Sequence, residues 1–246
     1  MSEAERLTAI QQSVDTFSRS VVDGLNLPAD ARCLELGAGA GSISSWLAER
    51  FPDGQVVAVD KDIALFKARH PANLRLVQAD VNELRMEPGS FELIHARFLL
   101  CHLPSRDELL AAAVRWLAPG GWLVVADPYQ LPAATSPFPV IRRIMAAYED
   151  RYAALGTDLT WSRRLPSTLA SLGLTELGHA GFLGCLGGGE RDRWRALLDP
   201  VMPELIARGS VTQQDADHFH DALDDPSFLD IPQFTLAAWG RAANRT

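Results

Sequence analysis

Apolar residues recur along this chain at two spacings, one typical of amphipathic helices and the other of buried strands. From Leu7 to Leu25 they step by three or four residues, which predicts a helix that ends near Pro28. Short apolar runs then alternate with helical stretches and tight turns. This alternation predicts a mostly parallel sheet with a ligand site at the carboxyl ends of its strands. The predicted strands cover 32–36, 55–59, 74–79, 91–96 and 122–126, and the predicted helices cover 42–51, 62–69 and 109–117.

Two polar residues predict the start of the helix over 109–117. Ser105 and Glu108 have the spacing of a capping box, in which each side chain accepts a hydrogen bond from the other residue's backbone N–H. The segment Pro119-Gly120-Gly121 then ends this helix and leads into the next strand.

The second half of the chain departs from this regular alternation. Helical patterns and two strands, near 177–183 and over 234–239, are separated by proline-rich and glycine-rich segments. Roughly fifty residues separate these last two strands, more than a usual connection. We therefore interpret residues 1–246 as a single domain with an N-terminal helix in 1–27 and two helical additions, 128–172 and 187–231, that roof the ligand cleft.

Composition and charge narrow the classes of partner. The 246 residues are 47% hydrophobic and carry a net charge of −8, which argues against a broad nucleic-acid surface. No apolar stretch approaches the length of a membrane span, and the N-terminus lacks the basic leader of a secretory signal. Three cysteines without metal-ligand spacing indicate reduced thiols and no metal, so we expect a cytoplasmic protein with neither a nucleic-acid nor a membrane partner. These cysteines are Cys33, Cys101 and Cys185.

A glycine-rich turn follows the first predicted strand. Gly37, Gly39 and Gly41 let the backbone turn sharply and approach a ligand closely, and the helix after them points free N–H groups at the turn. A dinucleotide-binding fingerprint needs a third glycine where Ser42 or Ser44 stands, depending on the register. The turn therefore favours an anionic or carboxylate-bearing ligand, but its spacing does not match the dinucleotide pattern.

Carboxylates end the next two strands. Asp60 lies about twenty residues after the glycines, where an acidic side chain can accept hydrogen bonds from both ribose hydroxyls of an adenosine ligand. The alternative role for Asp60 is a helix cap, for which Asp62 is the better candidate. Asp80 ends the third predicted strand and by itself would more often be a turn residue.

Five motifs in this order resemble those of the class I S-adenosylmethionine-dependent methyltransferases, and the match is close to the actinobacterial-type small-molecule branch. The resemblance implies a Rossmann-like α/β fold, in which a mostly parallel seven-stranded sheet has helices on both faces and an antiparallel last strand. The motifs are Glu35 with the glycines, Asp60, Asp80, the segment from Phe91 to Pro104, and Leu117-Ala118-Pro119-Gly120-Gly121; the late Ala238-Trp239-Gly240-Arg241 matches as well.

The resemblance also implies roles in binding S-adenosylmethionine. The glycines and Ala96 lie beside its methionine part, Glu35 reaches its amino group directly or through water, and Asp80 with Val81 reaches the adenine. Arg97 could clamp the ligand carboxylate, and a solvated side chain or an internal ion pair is the alternative. The residues assigned to the cofactor are Glu35, Gly37, Ala38, Gly39, Gly41, Asp60, Lys61, Asp80, Val81, Ala96 and Arg97.

Two residues are candidates for catalysis. The resemblance implies that His102 faces the acceptor as a general base, although Cys101 stands where a paired histidine is often found; a buried histidine bonded to backbone is the alternative. Asp127, at the end of the fifth strand, could orient His102 or bind the acceptor. We interpret His95, His179, His218 and His220 as surface or core residues. Four aromatic residues either line an apolar acceptor pocket or belong to the ordinary core: Phe138, Tyr148, Tyr152 and Trp161.

The resulting prediction is an enzyme that transfers a methyl group from S-adenosylmethionine to an oxygen, nitrogen or carbon of a small-molecule acceptor, in secondary metabolism and with a homodimer as a possible assembly. Two alternatives stay open at this point. One is an NAD-dependent oxidoreductase on a similar sheet. The other is an S-adenosylmethionine-binding protein without methyl transfer, such as a cyclase or a regulatory binder.

Overall fold

The computed structural model describes residues 3–66, 70–187 and 194–244. Seven strands in these residues form one sheet in the order β3-β2-β1-β4-β5-β7-β6. Strands β1 to β5 run parallel, and β7 pairs antiparallel with both β5 and β6. The predicted Rossmann-like sheet is confirmed. Its strands are β1 Cys33–Leu36, β2 Val56–Asp60, β3 Leu74–Gln78, β4 Phe91–Arg97, β5 Leu117–Gln130, β6 Thr175–Gly187 and β7 Leu229–Arg241.

Helices connect the strands and extend the second half of the chain. Three short 3₁₀ turns, Leu100–His102, Ala133–Thr135 and Trp161–Arg164, lie beside them. Among the residues given above, no helix is both long and apolar enough to cross a bilayer. The α-helices are α1 Glu3–Asp23, α2 Ser42–Arg50, α3 Arg106–Trp116, α4 Pro139–Ala154, α5 Leu165–Ser171, α6 Trp194–Leu198, α7 Met202–Ala207 and α8 Gln213–Asp224.

Three apolar clusters hold these layers together. The first packs α3 and α5 on the sheet around Trp116 and Leu165, and the second packs α1 and α2 on it around Leu47 and Phe51. The third lies among α4, α6, α7 and α8 around Trp194. Because this third cluster draws on both predicted additions, burial of apolar area joins them to each other. Their interpretation as additions to a single domain stays a prediction.

The predicted helix over 62–69 is wrong for residues 62–66, which form turns, and 67–69 lie outside the described residues. The side chain of Asp60 accepts a hydrogen bond from the backbone N–H of Asp62 at 3.0 Å, and the side chain of Asp62 accepts one from Ala64 at 2.9 Å. Such bonds to the residue two positions on stabilise turns in competition with a helix.

The predicted capping box at Ser105 is also wrong. Helix α3 begins at Arg106, and the Ser105 hydroxyl donates to Oδ1 of Asn82 at 2.6 Å instead of accepting from its own helix. A capping box does occur at α8, where the side chains of Thr212 and Asp215 accept from each other's backbone N–H. The Ser105 hydroxyl thus bonds to Asn82, which lies before β4 in the chain, and not to the backbone of its own helix.

Candidate active site

A cavity of about 510 Å³ opens at the carboxyl ends of the parallel strands. Residues from the ends of β1 to β4 line it, and α1, α4, α6 and the loops after β3 and β4 complete its walls. We call its acidic side the four carboxylates that line it, Glu35, Asp60, Asp62 and Asp80. We call its aromatic side the group His102, Tyr148, Tyr152, Leu159 and Leu197.

The glycine turn requires glycine for two different reasons. Gly37, Gly39 and Gly41 all have φ in the left-handed region, at +70°, +56° and +79°. A Cβ on Gly39 would meet nothing closer than the side chain of Leu7 at 3.9 Å, so its absence keeps the cavity open. A Cβ on Gly41 would overlap the ring of Phe66, so that glycine serves internal packing.

Asp60 ties the end of β2 to the glycine turn. Its Oδ2 accepts the backbone N–H of Gly39 at 2.7 Å, while its Oδ1 accepts that of Asp62. The N–H groups of Gly37 and Ala38 donate to the carbonyl of Val59 at 2.9 and 3.1 Å. Each carboxylate oxygen of Asp60 keeps a second acceptor site. Asp60 can therefore accept further hydrogen bonds from a ligand in the cavity.

Glu35 lies at the floor of the cavity in a buried polar cluster. Its carboxylate accepts the Ser44 hydroxyl, and its Oε1 is 3.6 Å from Nδ1 of His95, the residue opposite it on β4. His95 is fully buried, and within the described residues neither of its ring nitrogens has a hydrogen-bond partner. Glu35 thus has two neighbours that sequence reasoning missed: the β1–β4 register brings His95 opposite it, and the packing of α2 brings Ser44 to its carboxylate.

Asp80 and its neighbours form the far end of the acidic side. Oδ1 of Asp80 accepts the backbone N–H of Asn82 at 2.8 Å, and Asp80, Val81 and Lys61 all line the cavity. The carbonyl of Lys61 accepts the Gln78 side-chain amide at 3.1 Å. The structure therefore brings together at one edge Asp80 and Val81, which the resemblance assigned to the adenine, and Lys61, which it assigned to the cofactor without naming a part.

Arg97 lines the cavity and is held by helix α1. Its guanidinium is 2.9 Å from Oδ1 of Asp15 and donates to the Ser18 hydroxyl at 3.1 Å. Oδ1 of Asp15 also accepts the Ser42 hydroxyl at 3.1 Å, at the start of α2. Three roles were left open for Arg97: a clamp on the ligand carboxylate, a solvated side chain or an internal ion pair. The structure contains the internal ion pair, with Asp15. Sequence reasoning missed Asp15 because it lies far from Arg97 in the chain.

Asp127 is fully buried and is not among the residues that line the cavity. Oδ1 accepts the backbone N–H of Leu99 at 3.0 Å, and Oδ2 accepts that of Cys101 at 2.7 Å and Nε1–H of Trp161 at 2.8 Å. Burial raises the pKa of Asp127 to about 7, against the three donated hydrogen bonds. The expected contact with His102 is absent among the described residues; the carboxylate instead positions the backbone that leads to that histidine.

His102 has a different partner, Thr157. Nδ1 of His102 and Oγ1 of the buried Thr157 are 3.0 Å apart, and the imidazole lies 6.2 Å from the ring of Tyr152. Partial burial lowers the pKa of His102, and the charges of Arg6, Lys61 and Arg106 lower it further. The imidazole is therefore predominantly neutral at pH 7. No local sequence signal connects His102 with Thr157, because the two are 55 residues apart.

The aromatic side includes only part of the predicted set. Tyr148 and Tyr152 line the cavity with their ring centroids 4.6 Å apart. Trp161 lies behind the cavity on Asp127, and Phe138 packs edge-on against Phe228 in the third apolar cluster. Gly41 and Ala96 also lie outside the cavity lining, unlike the other residues assigned to the cofactor.

Comparisons with known proteins find methyltransferases among the proteins that this chain resembles. A family model described as a methyltransferase domain matches residues 34–125. Methyltransferase str3 of Strobilurus tenacellus is 38% identical over 127 residues, which are 51% of this chain and 46% of that protein. Trans-aconitate 2-methyltransferase of Methylobacterium nodulans is 28% identical over 233 residues, which are 86% of this chain and 88% of that protein. The chain thus spans about half the length of Methyltransferase str3.

Solved structures share the fold at low sequence identity. Phosphoethanolamine N-methyltransferase 2 of Haemonchus contortus, in complex with S-adenosyl-L-methionine, has a TM-score of 0.61 at 15% identity over 94% of this chain and 53% of that one. The [4+2]-cyclase SpnF has a TM-score of 0.61 at 18% identity over 96% of this chain and 83% of that one. Together with the confirmed sheet, these comparisons show that residues 34–125 match a methyltransferase domain and that the chain shares its fold with a solved structure that binds S-adenosyl-L-methionine.

Proposed function

We propose that this chain transfers the methyl group of S-adenosylmethionine to a small-molecule acceptor in secondary metabolism, at oxygen, nitrogen or carbon. The observation that carries the proposal is one cavity that joins the glycine turn and the acidic side to His102. Similarity to Methyltransferase str3 and to trans-aconitate 2-methyltransferases supports a small acceptor. The actinobacterial-type branch, the homodimer and the cytoplasmic location stay predictions.

The acidic side fits the adenosyl cofactor. Gly39 leaves room for a ligand at the turn, and Asp60 keeps acceptor sites that suit the two ribose hydroxyls. Asp80 and the backbone of Val81 lie farther along the same edge, where they suit an adenine ring. The carboxylates also favour the positive charge of a sulfonium. We therefore assign the cofactor to the acidic side and leave the aromatic side to the acceptor.

When bound, S-adenosylmethionine supplies an activated methyl group as the electrophile. The contribution of this chain is then mainly alignment of the acceptor, which can be worth about 7–11 kcal/mol when the attack geometry is held. The aromatic side, with the buried Tyr148 and Leu159, excludes water around the acceptor. Neither role needs a metal.

His102 is the general base in this proposal. Its lowered pKa keeps the imidazole neutral, so it can take a proton from a hydroxyl or amine acceptor. If Nδ1–H donates to Oγ1 of Thr157, Nε2 is the acceptor nitrogen, and Thr157 positions the ring without touching the acceptor. Asp127 acts indirectly. Its carboxylate accepts hydrogen bonds from the backbone N–H groups of Leu99 and Cys101 and so positions the segment that leads to His102.

The test uses the full chain with isotopically methyl-labelled S-adenosylmethionine and a panel of small phenols, carboxylic acids, amines and enols. We expect labelled product and stoichiometric S-adenosylhomocysteine with at least one acceptor class. Calorimetry should also show binding of S-adenosylhomocysteine and none of NADH. Binding of NADH in its place would contradict the proposal. Tight S-adenosylhomocysteine binding, with no methylation across the panel and an unmethylated rearranged product, would indicate the non-transferring alternative.

A further inference from the structure

A buried histidine beside the floor of the cavity takes no part in the proposed mechanism. His95 is fully buried, and among the described residues neither of its ring nitrogens has a hydrogen-bond partner. Buried polar nitrogens in folded proteins nearly always have one. Oε1 of Glu35 lies 3.6 Å from Nδ1 of His95, just beyond the length of a hydrogen bond. A small movement or a change of charge would therefore bring these two side chains into direct contact.

Glu35 is the member of this pair that reaches the cavity. It lines the cavity, whereas His95 does not, and the two lie opposite each other on β1 and β4. The Glu35 carboxylate also accepts the hydroxyl of Ser44 on α2. A buried carboxylate needs hydrogen bonds or a positive partner to offset its lost hydration. Glu35 can obtain a positive partner from two directions, a ligand in the cavity or the imidazolium form of His95.

The order of the strands indicates which part of the cofactor meets Glu35. Strands β3, β2 and β1 are neighbours in the sheet, and Asp80, Asp60 and Glu35 stand after β3, at the end of β2 and on β1. In S-adenosylmethionine the adenine, the ribose and the amino-acid part follow one another in the same way. With the adenine at Asp80 and the ribose at Asp60, as proposed above, the amino-acid part lies at β1. Its ammonium group is then the positive partner that Glu35 receives from the cavity.

The immediate surroundings of the pair are apolar or already paired. Across the sheet, Ala58 of β2 lies opposite Glu35, and Val124 of β5 lies opposite His95. Arg97, two residues farther along β4 than His95, is 2.9 Å from Oδ1 of Asp15 on α1. Arg6 of α1 and Lys61 after β2 line the cavity.

The other charged side chains described on α1, α2, β2, β4 and β5 are in ion pairs, bonded to backbone or exposed to solvent. They are Arg19 with Asp15, Arg50 with Asp23, Glu92 with Arg32, Asp60 with Gly39, Asp127 with Leu99, and the exposed Glu49. Glu35 is thus the charged group that a proton on His95 affects most directly.

We propose that His95 is a positioning residue for the amino group of the cofactor and acts through Glu35. As a neutral imidazole, His95 leaves the carboxylate available to the ammonium group. As an imidazolium, it draws the carboxylate into an ion pair, and two cations then compete for one buried anion. This inference rests on the proposed function and concerns the cofactor end of the same site. Because imidazoles titrate near neutral pH, the competition depends on pH in that range.

The competition sets the direction of the pH effect. Bound ammonium disfavours the imidazolium, so cofactor binding favours neutral His95 and releases a proton from the molecules that hold one. Affinity therefore falls as the pH is lowered, and it falls only for ligands with the amino group. The ligand's own amino group becomes more fully charged at lower pH, which by itself would act in the opposite direction.

The experiment measures the Kd of the full chain for S-adenosylhomocysteine and for its deamino analogue, which keeps the carboxylate, between pH 7.5 and pH 5.5. We expect the Kd for S-adenosylhomocysteine to rise about three- to tenfold at the acidic end and that for the analogue not to rise. His95→Gln, whose side chain is neutral at every pH, should remove the rise. His179→Gln should keep it and is the matched control, because His179 is exposed on β6.

A second measurement needs no variant. Calorimetry in two buffers of different ionisation enthalpy counts the protons exchanged on binding. At pH 6 the parent chain should release a fraction of a proton when it binds S-adenosylhomocysteine and none when it binds the analogue. If His95→Gln does not fold, this measurement decides the matter.

Three results would contradict the inference. Equal pH dependence for the two ligands, or no proton release with S-adenosylhomocysteine, overturns it, while binding of S-adenosylhomocysteine leaves the proposed function standing. A rise in Kd that persists in His95→Gln and disappears in His102→Gln assigns the effect to the histidine that lines the cavity, which also overturns it. If the parent chain binds no S-adenosylhomocysteine at any pH, the proposed function fails and the inference fails with it.

Discussion

The two sides of the cavity are built in different ways. The acidic side is held by bonds over shorter sequence separations, such as Asp80 to Asn82, two residues apart, and Gly39 to Asp60, 21 residues apart. The aromatic side is held by contacts between distant segments, such as His102 with Thr157 and the Asp158 N–H with the Cys101 carbonyl at 2.9 Å. A cofactor site built on the ends of neighbouring strands can be kept while the acceptor site changes with the segments that cover it. The two sides can therefore be altered separately.

The largest expected effect is on the aromatic side alone. Replacing His102 with alanine removes the proposed base, so we expect kcat to fall about 10²–10⁴-fold and the Kd for S-adenosylhomocysteine to stay near its parent value. Steady-state kinetics and calorimetry measure the two quantities. His179→Ala is the control, because His179 is exposed on β6. A variant with parent turnover and parent pH–rate profile would remove His102 from the mechanism.

The converse test breaks the acidic side alone. Asp60→Ala removes the acceptor of the ribose hydroxyls and of the Gly39 N–H, each worth about 1.5–3 kcal/mol as a charge-assisted hydrogen bond. We expect the Kd for S-adenosylhomocysteine to rise at least about tenfold. Asp53→Ala, an exposed carboxylate after α2, should bind like the parent. An unchanged Kd in Asp60→Ala would contradict the ribose role.

A third prediction concerns the support beneath the aromatic side. Asp127→Asn replaces an acceptor of three hydrogen bonds with a group that also donates, and we expect unfolding to become easier by about 1–3 kcal/mol. Urea denaturation measures this loss. S-adenosylhomocysteine binding should change little, because Asp127 does not line the cavity.

The same variant has a pH signature. The folded-state pKa of Asp127, about 7, exceeds the ordinary value of 3.8, so the folded chain binds this proton more tightly than the unfolded chain. The group therefore contributes stability that is complete below about pH 4 and is lost as pH rises toward 7. The stability gap between the parent and Asp127→Asn should narrow from pH 5 to pH 7.5. The gap to Asp53→Asn should stay constant, and a parallel pair of curves for Asp127→Asn would refute the raised pKa.

The smallest expected effect sharpens the comparison within the aromatic side. Thr157→Val keeps the shape of the side chain but removes the hydroxyl next to His102, a loss of about 0.5–1.5 kcal/mol. We expect kcat to fall about two- to tenfold, with a shifted pH–rate profile, and Thr157→Ser to restore both. Nitrogen NMR shifts of His102 report the tautomer directly. Rate loss with unchanged His102 shifts and pH profile would indicate packing alone.

Most of the fold and the acidic side could be predicted from the sequence. Periodicity located all seven strands, the glycine turn and Asp60 followed from spacing, and the role of Asp80 followed from the resemblance. The predictions failed where a short polar segment had competing partners. Side-chain bonds from Asp60 and Asp62 favour turns over the predicted helix, and Ser105 bonds to Asn82 instead of to its own helix.

The roles of buried polar groups could not be predicted in the same way. Sequence reasoning predicted that Asp127 orients His102 or binds the acceptor, but its oxygens accept hydrogen bonds from Leu99, Cys101 and Trp161. Sequence reasoning also left the partner of Arg97 open, and the structure pairs that arginine with Asp15. A buried polar atom binds whichever donor or acceptor the packing brings within about 3 Å, and separation along the chain does not specify that choice.

By itself the sequence determined the sheet, the turn after β1 and the carboxylates at the ends of β2 and β3, because these depend on apolar periodicity and on backbone conformations open to glycine. Only the tertiary structure decided that Thr157 supports His102 and that His95 lies against Glu35. Those contacts join segments far apart in the chain, and they form only after burial of three apolar clusters has set the distances between them.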